Sequence, residues 1–358
     1  MSAAPRLALL AFALACAVTG IAGGLARAGI AVDAPTGAAL HAVLMIPGFL
    51  GTVISLERAV ALGSRWAFGA PLAAGLGAVL FAFAPPPFGL VLMAIAPLWL
   101  TAASVAIAAR QFEPHTALLV VASLAWAVGN VAFHFGAASA APAWWFVFLV
   151  LTIAAERLEM TRLMKRRAAA APLLGLCVAL LLAGAALSLA DAARGGIAFG
   201  MALAGLAAWL AVFDLARRTI RTEGFSRYAA VALLAGYGWL GVAGFAWAMQ
   251  GFDPRWRDAA LHALGLGFVF SMILAHAPLV VPVIARRRLA YTPAFYIPLA
   301  LLHASLLVRL ALAPFDAAFR AWGAALNAVA LVVFVATLAV AMSRRGASGG
   351  TGSLAPPL

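Results

Sequence analysis

The sequence predicts an all-α polytopic membrane protein of about twelve transmembrane helices, with the N- and C-termini cytoplasmic. Three observations carry that expectation. First, 66% of the 358 residues are hydrophobic, 10% are charged, and the mean hydropathy is +1.07. A soluble domain runs nearer to about half apolar and about a quarter charged. Second, apolar runs recur at about 17–25 residues, the length a helix needs to cross hydrocarbon. Third, the cations between those runs gather on one side. This composition excludes a water-soluble enzyme, a disordered chain and a nucleic-acid reader, and makes the lipid bilayer the principal partner.

The elements follow in order. The first span, 7–26, resembles a signal peptide, with Arg6 ahead of an apolar run and small residues after it. Its 20 residues exceed an ordinary signal core and suffice to cross, so it is read as a helix. The second, 37–56, stops at Glu57 and Arg58. The third, 66–84, follows Arg65 and ends at Pro85-Pro86-Pro87. The fourth, 88–108, stops short of Arg110, and the fifth, 115–136, starts behind Pro114. The sixth, 142–157, runs into a basic cluster from Arg157 to Arg167. The seventh, 171–190, and eighth, 195–215, flank Arg194, and Arg217-Arg218 close the eighth. The ninth, 228–249, and tenth, 259–284, are separated by Arg255 and Arg257. Arg286-Arg287-Arg288 precede the eleventh, 293–313, and the twelfth, 318–342, ends before Arg344 and Arg345. Residues 1–345 read as one transmembrane domain, and 346–358, rich in Gly, Ser and Pro, as a disordered tail. No repeat of 20–50 residues is visible, nor a pair of broken helices in matching positions.

Alternating the loops places 18 of the 24 cations on the side of the N-terminus and five on the other, with Arg309 inside a span. Cytoplasmic loops of membrane proteins are enriched in Lys and Arg, so the N-terminal side is cytoplasmic. That distribution also accounts for the net charge of +13 without nucleic acid. Cys16 and Cys177 sit in apolar runs and support neither a disulfide framework nor a thiolate metal site.

Ionisable residues within hydrocarbon are costly and mark candidate sites. His41, His134 and His262 fall near the outer ends of the second, fifth and tenth spans. Three imidazoles at one depth point to a metal or a haem, since imidazole suits iron, copper and zinc and two imidazoles can clamp a haem iron. Interhelical hydrogen bonding is the alternative for each. Gly48 and Gly51 after His41, and Gly265 and Gly267 after His262, are read as room for a flat macrocycle, or as helix packing. Carboxylates that would complete a bare metal site are not expected at this depth. Arg309 needs an anion or a route to water, and a haem propionate would serve. His276 and His303 lie deeper, and His276 is about 21 Å along the helix from His262. Glu57, Glu156 and Asp214 read as ion pairs at cytoplasmic helix ends. Trp126, Trp239 and Trp247 are deep enough to be core or cofactor contacts.

Four segments resemble the NnrS family of haem- and copper-containing bacterial membrane proteins. They are HAVLMIPGFLGTVI (41–54), GNVAFHFG (129–136), GYGWLGVAGF (236–245) and AALHALGLGFVFSMILA (259–275). The twelve-helix layout agrees. The resemblance implies haem b, held by His41 and His262 with Arg309 nearby, and copper with His134 as a further metal ligand. It also implies a role in nitric oxide response, binding or detoxification in the bacterial inner membrane. The family's first motif carries two histidines and Glu-Met where this chain has His41 with Leu44-Met45, and its Gly-Gly-Arg reads here as AERLEM (155–160). These departures weigh against copper more than against haem. The layout also resembles the catalytic subunit of haem–copper oxidases, whose second and tenth helices clamp a haem, although 142–157 has no histidine. A secondary transporter with a histidine-lined path and a membrane assembly factor are the alternatives. Electron donor, quinol, turnover and oligomeric state are not legible.

Overall fold

A computed structural model describes residues 3–85, 87–161 and 168–343. The basic residues Arg162, Lys165, Arg166, Arg167, Arg344 and Arg345, and the 346–358 tail, lie outside the described residues. Twelve helices are long and apolar enough to cross a membrane. They are α1 (Pro5–Arg27), α2 (Pro35–Leu62), α3 (Arg65–Phe83), α4 (Phe88–Arg110), α5 (Pro114–His134), α6 (Ala141–Met160), α7 (Ala170–Leu187), α8 (Ala192–Phe213), α9 (Gly224–Met249), α10 (Pro254–Ala285), α11 (Pro293–Leu312) and α12 (Ala318–Ser343). No strand occurs among the described residues. The chain is a multi-pass membrane protein, as its sequence predicts, and each predicted span overlaps one helix.

The chain divides into two compact units, Met1–Glu159 and Met160–Leu358. In the first, α1 packs on α2 and α3, and α4 packs between α3 and α5. Small residues bring these helices close, as they do where lipid gives helices no hydrophobic reason to associate. Gly23 of α1 faces the Gly37 backbone of α2, where a methyl on either would collide. α6 is the most enclosed helix, and Trp145, Phe148 and Leu151 are fully buried. A buried polar chain ties it in. Trp145 Nε1 donates to Asn130 Oδ1 of α5 (2.9 Å), and Asn130 Nδ2 donates to the Met93 carbonyl of α4 (2.8 Å). At the other end of α6, Glu156 accepts from Arg58 of α2 at 2.5 Å, and Glu57 lies 3.3 Å from the same guanidinium.

In the second unit, α7, α8 and α9 pack in sequence, α9 packs on α10, and α11 packs on α12. Gly200 and Gly244 let α8 and α9 meet backbone to backbone. Asn327 of α12 donates to Ser305 of α11 in the buried face between them. Asp214 accepts from the Ala216 backbone at 2.7 Å, so it caps the turn after α8.

Three spans contain a wide π turn: Leu44–Leu50 in α2, Ala263–Val269 in α10 and Val308–Leu312 in α11. In α2 the cause is Pro47, which has no N–H to donate and whose ring crowds the preceding turn. Such turns are rare and concentrate at functional sites.

Candidate functional site

The tenth and eleventh helices build the most elaborate polar group. Asp258 lies one turn before His262, so both face the same way. His262 Nδ1 is 2.9 Å from the Asp258 carbonyl and 3.1 Å from its carboxylate Oδ1. Arg309 reaches the same carboxylate from α11 with two donors, Nη2 to Oδ1 at 2.9 Å and Nε to Oδ2 at 3.2 Å. This planar double contact is the strong form of an arginine–carboxylate pair. The Arg309 side chain is only 9% exposed. Its backbone sits in the π turn of α11, directly against Gly323 of α12, where a Cβ would lie 2.5–2.6 Å from Arg309 atoms.

Arg309 therefore has an anionic partner within the protein, Asp258, rather than needing a propionate. Asp258 is also the carboxylate that the sequence did not place at this depth. The helix begins earlier than the apolar run suggests. Arg257 and Asp258 read as loop, yet α10 starts at Pro254, because Asp253 caps the turn by accepting from Arg255 N at 2.9 Å. Asp253 also takes the Arg255 side chain at 2.8 Å, and these hydrogen bonds hold its carboxyl below the ordinary range.

In the first unit, His41 lies six residues into α2. Its Nδ1 is 2.7 Å from the Gly20 carbonyl of α1. A carbonyl oxygen only accepts, so Nδ1 carries a proton and donates it. Gly24 makes room for this ring, since a Cβ there would come within 2.8 Å of it. The same reasoning makes Nδ1 a donor in His262 and in His276, whose Nδ1 is 2.7 Å from the Met272 carbonyl. His303 is the opposite tautomer. Trp239 Nε1 donates to its Nδ1 at 2.8 Å, so Nε2 bears the hydrogen, and that buried atom has no partner among the described residues. His303 is thus a donor at Nε2, not a ligand.

The helices around His41 and His262 share a local plan. In each, a π turn follows the histidine, its fifth residue is a glycine (Gly48 or Gly267), and a hydroxyl four residues on bonds that glycine's carbonyl. Thr52 donates to Gly48 O and Ser271 to Gly267 O, both at 2.5 Å. The glycines are filled, but not by a macrocycle. Gly48 seats Cys16 and Ala78, Gly51 seats Trp126, and Gly267 seats Trp239. Helix packing, the other reading of these glycines, is what the structure shows at Gly48, Gly51 and Gly267. Trp126 is a core residue, as is Trp247, packed on Phe199 at 4.7 Å, while Trp239 is half-buried and bonded to His303.

The histidines do not lie at one distance from their helix ends. His134 is the last residue of α5, exposed and beside Phe81 at 6.0 Å. His262 lies eight residues inside α10, a rise of about 12 Å, and His41 six inside α2, about 9 Å. The sequence places all three near the outer ends of their spans; of them only His134 stands at its helix end. Among the described residues no group of three or more His, Cys, Asp or Glu side chains is placed to hold a metal ion.

A haem needs one or two imidazole lone pairs, whereas a bare ion needs three or four donors. His41, in the first unit, and His262, in the second, each bring one imidazole with Nδ1 bonded to a carbonyl, the arrangement of a histidine that ligates through Nε2.

The chain matches one family model over residues 6–343, described as a domain of unknown function (DUF8744). No curated protein and no solved structure matches it. The match covers nearly the whole transmembrane region, and the chain belongs to the DUF8744 family.

Proposed function

We propose that this is a haem-binding protein of the bacterial inner membrane, with His262 of the second unit and His41 of the first each taken by itself as an imidazole ligand, and nitric oxide as the molecule it senses, binds or removes. The observation that supports it best is the outer shell of His262. Metal-ligating histidines characteristically give their other ring N–H to a carboxylate or a backbone carbonyl, which fixes the tautomer and the ring plane. His262 has both from Asp258, and Arg309 holds that carboxylate in turn. His41 has a carbonyl from a neighbouring helix.

When bound, haem supplies an iron that takes up a diatomic ligand or an electron. The residues orient and insulate: Asp258 holds the His262 ring, Arg309 holds the Asp258 carboxylate, and Gly24 admits the His41 ring. Copper, which the NnrS resemblance also implies, would draw on His134 as a further ligand.

The test is an absorbance spectrum of the full chain purified from haem-replete cells. A Soret band is expected, reduced strongly by His262→Ala and by His41→Ala and kept by His276→Ala. A wild-type protein without the band, or single variants that all keep it, would refute the reading. Both termini are placed in the cytoplasm, from the bias of cations. A reporter fused after Leu358 that is active only outside the cytoplasm would overturn that orientation.

A further inference from the structure

The end of the second unit where α9 begins and α10 leaves the membrane carries an open cavity of about 430 Å³, lined by Glu223, Arg227, Val231, Tyr291, Pro293 and Tyr296. We propose that this cavity binds the phosphodiester headgroup of an anionic phospholipid.

Position is the first argument. Gly224 and Pro293 begin α9 and α11, so the cavity sits at the level where hydrocarbon gives way to headgroups. Its lining is graded accordingly. Val231 and Pro293 offer an apolar wall, and Tyr291 and Tyr296 place phenols at the boundary, the usual station of amphipathic rings. These phenols are fixed. Tyr228, fully buried, packs on Tyr291 at 6.1 Å and on Tyr296 at 5.3 Å, and Tyr291 stacks on Phe295. Burial, then the neighbouring Tyr296, pushes the Tyr291 phenol up, so it remains an O–H donor.

Charge is the second. The two loops at this end and the first turn of α9 expose Arg218, Arg221, Arg227, Arg286, Arg287 and Arg288. None of the six forms an ion pair with a carboxylate among the described residues. Glu223 is the one acid in the lining, against that cationic rim. Clusters of four to eight such residues beside a span draw anionic lipid, each contributing an attraction of about fivefold in affinity. Backbone geometry adds a third point. Arg286 closes α10 in the left-handed region (φ 52°), a position where glycine is the cheap choice. An arginine held there at a conformational cost points to use of its side chain.

The test uses the full chain in neutral detergent with a dansyl-labelled phosphatidylglycerol. Saturable binding is expected, displaced by unlabelled phosphatidylglycerol but not by phosphatidylcholine or by millimolar inorganic phosphate. Arg227→Gln should weaken binding about fivefold to tenfold, with Arg227→Lys recovering most of it, while size-exclusion profile and helical circular dichroism stay unchanged. Neutralising Arg286, Arg287 and Arg288 to Gln together should weaken it and flatten its salt dependence. Equal displacement by phosphatidylcholine, displacement by free phosphate, or stronger binding of phosphatidylethanolamine through Glu223 would each overturn the assignment. So would an unchanged affinity in Arg227→Gln.

Discussion

Removing the carboxylate of Asp258 should destabilise the second unit, and removing Arg309 as well should then cost less than removing Arg309 from the intact pair. At 2.9 Å, two unit charges attract by about 6 kcal/mol gross for an effective dielectric of about 20. Most of that offsets the cost of taking Arg309 out of water, because its side chain is 9% exposed. Breaking a fully buried pair costs about 3–5 kcal/mol, chiefly from the charge left behind. Asp258 is 36% exposed, which lets water reach the guanidinium after the change, so about 2–3 kcal/mol is the appropriate figure. The assay is a reversible unfolding titration in mixed micelles on Asp258→Ala, Arg309→Met and the double variant. Asp258→Ala should lose about 2–3 kcal/mol, and the double variant should be less destabilised than the sum, with a coupling of about 1.5 kcal/mol or more. Additivity within about 0.5 kcal/mol would show that the two side chains do not depend on each other, and would refute the reasoning.

The remaining predictions concern the supports of the same architecture. Gly323→Ala places a methyl against the Arg309 backbone and should cost about 1–3 kcal/mol, more than Gly175→Ala, where the structure leaves open space; equal effects would refute the close contact. Trp145→Phe leaves Asn130 Oδ1 buried without its donor and should cost about 1–3 kcal/mol, with Asn130→Leu/Trp145→Phe partly restoring stability. In haem-loaded protein, Asp258→Asn should shift the absorbance maximum or redox midpoint while His276→Ala leaves both unchanged; identical spectra would remove Asp258 from the support of His262.

The helices were legible because their signal is coarse. Twenty apolar residues must be satisfied within their own backbone in lipid, so length and composition suffice. Their starts were less legible where a charge lies inside the helix. Asp258 and Arg257 read as loop because charged residues in a span are expensive, and that rule holds only for charges without partners. Arg309, 51 residues later in sequence, is the partner, and no local pattern announces it. The need was readable from Arg309, which had to find an anion; the identity of the anion was not.

The π turns mark the same boundary between local and long-range information. Pro47 forecasts a disturbed turn in α2, but nothing similar stands in α10, where the disturbance falls at Gly265 and Gly267. What the two turns share became visible only with the backbone in hand. A hydroxyl one turn beyond bonds the carbonyl of the fifth residue, and an aromatic ring from another helix covers a glycine, Trp126 over Gly51 and Trp239 over Gly267. In both cases the imidazole one to three residues before the turn has its Nδ1 bonded to a carbonyl. A wide turn redirects the helix face that follows it, and a bonded Nδ1 fixes the ring that precedes it. The two devices together set the direction of Nε2 independently of any cofactor. Ligation by these histidines would then cost little reorganisation, and the loss of haem on replacing either one should be steep.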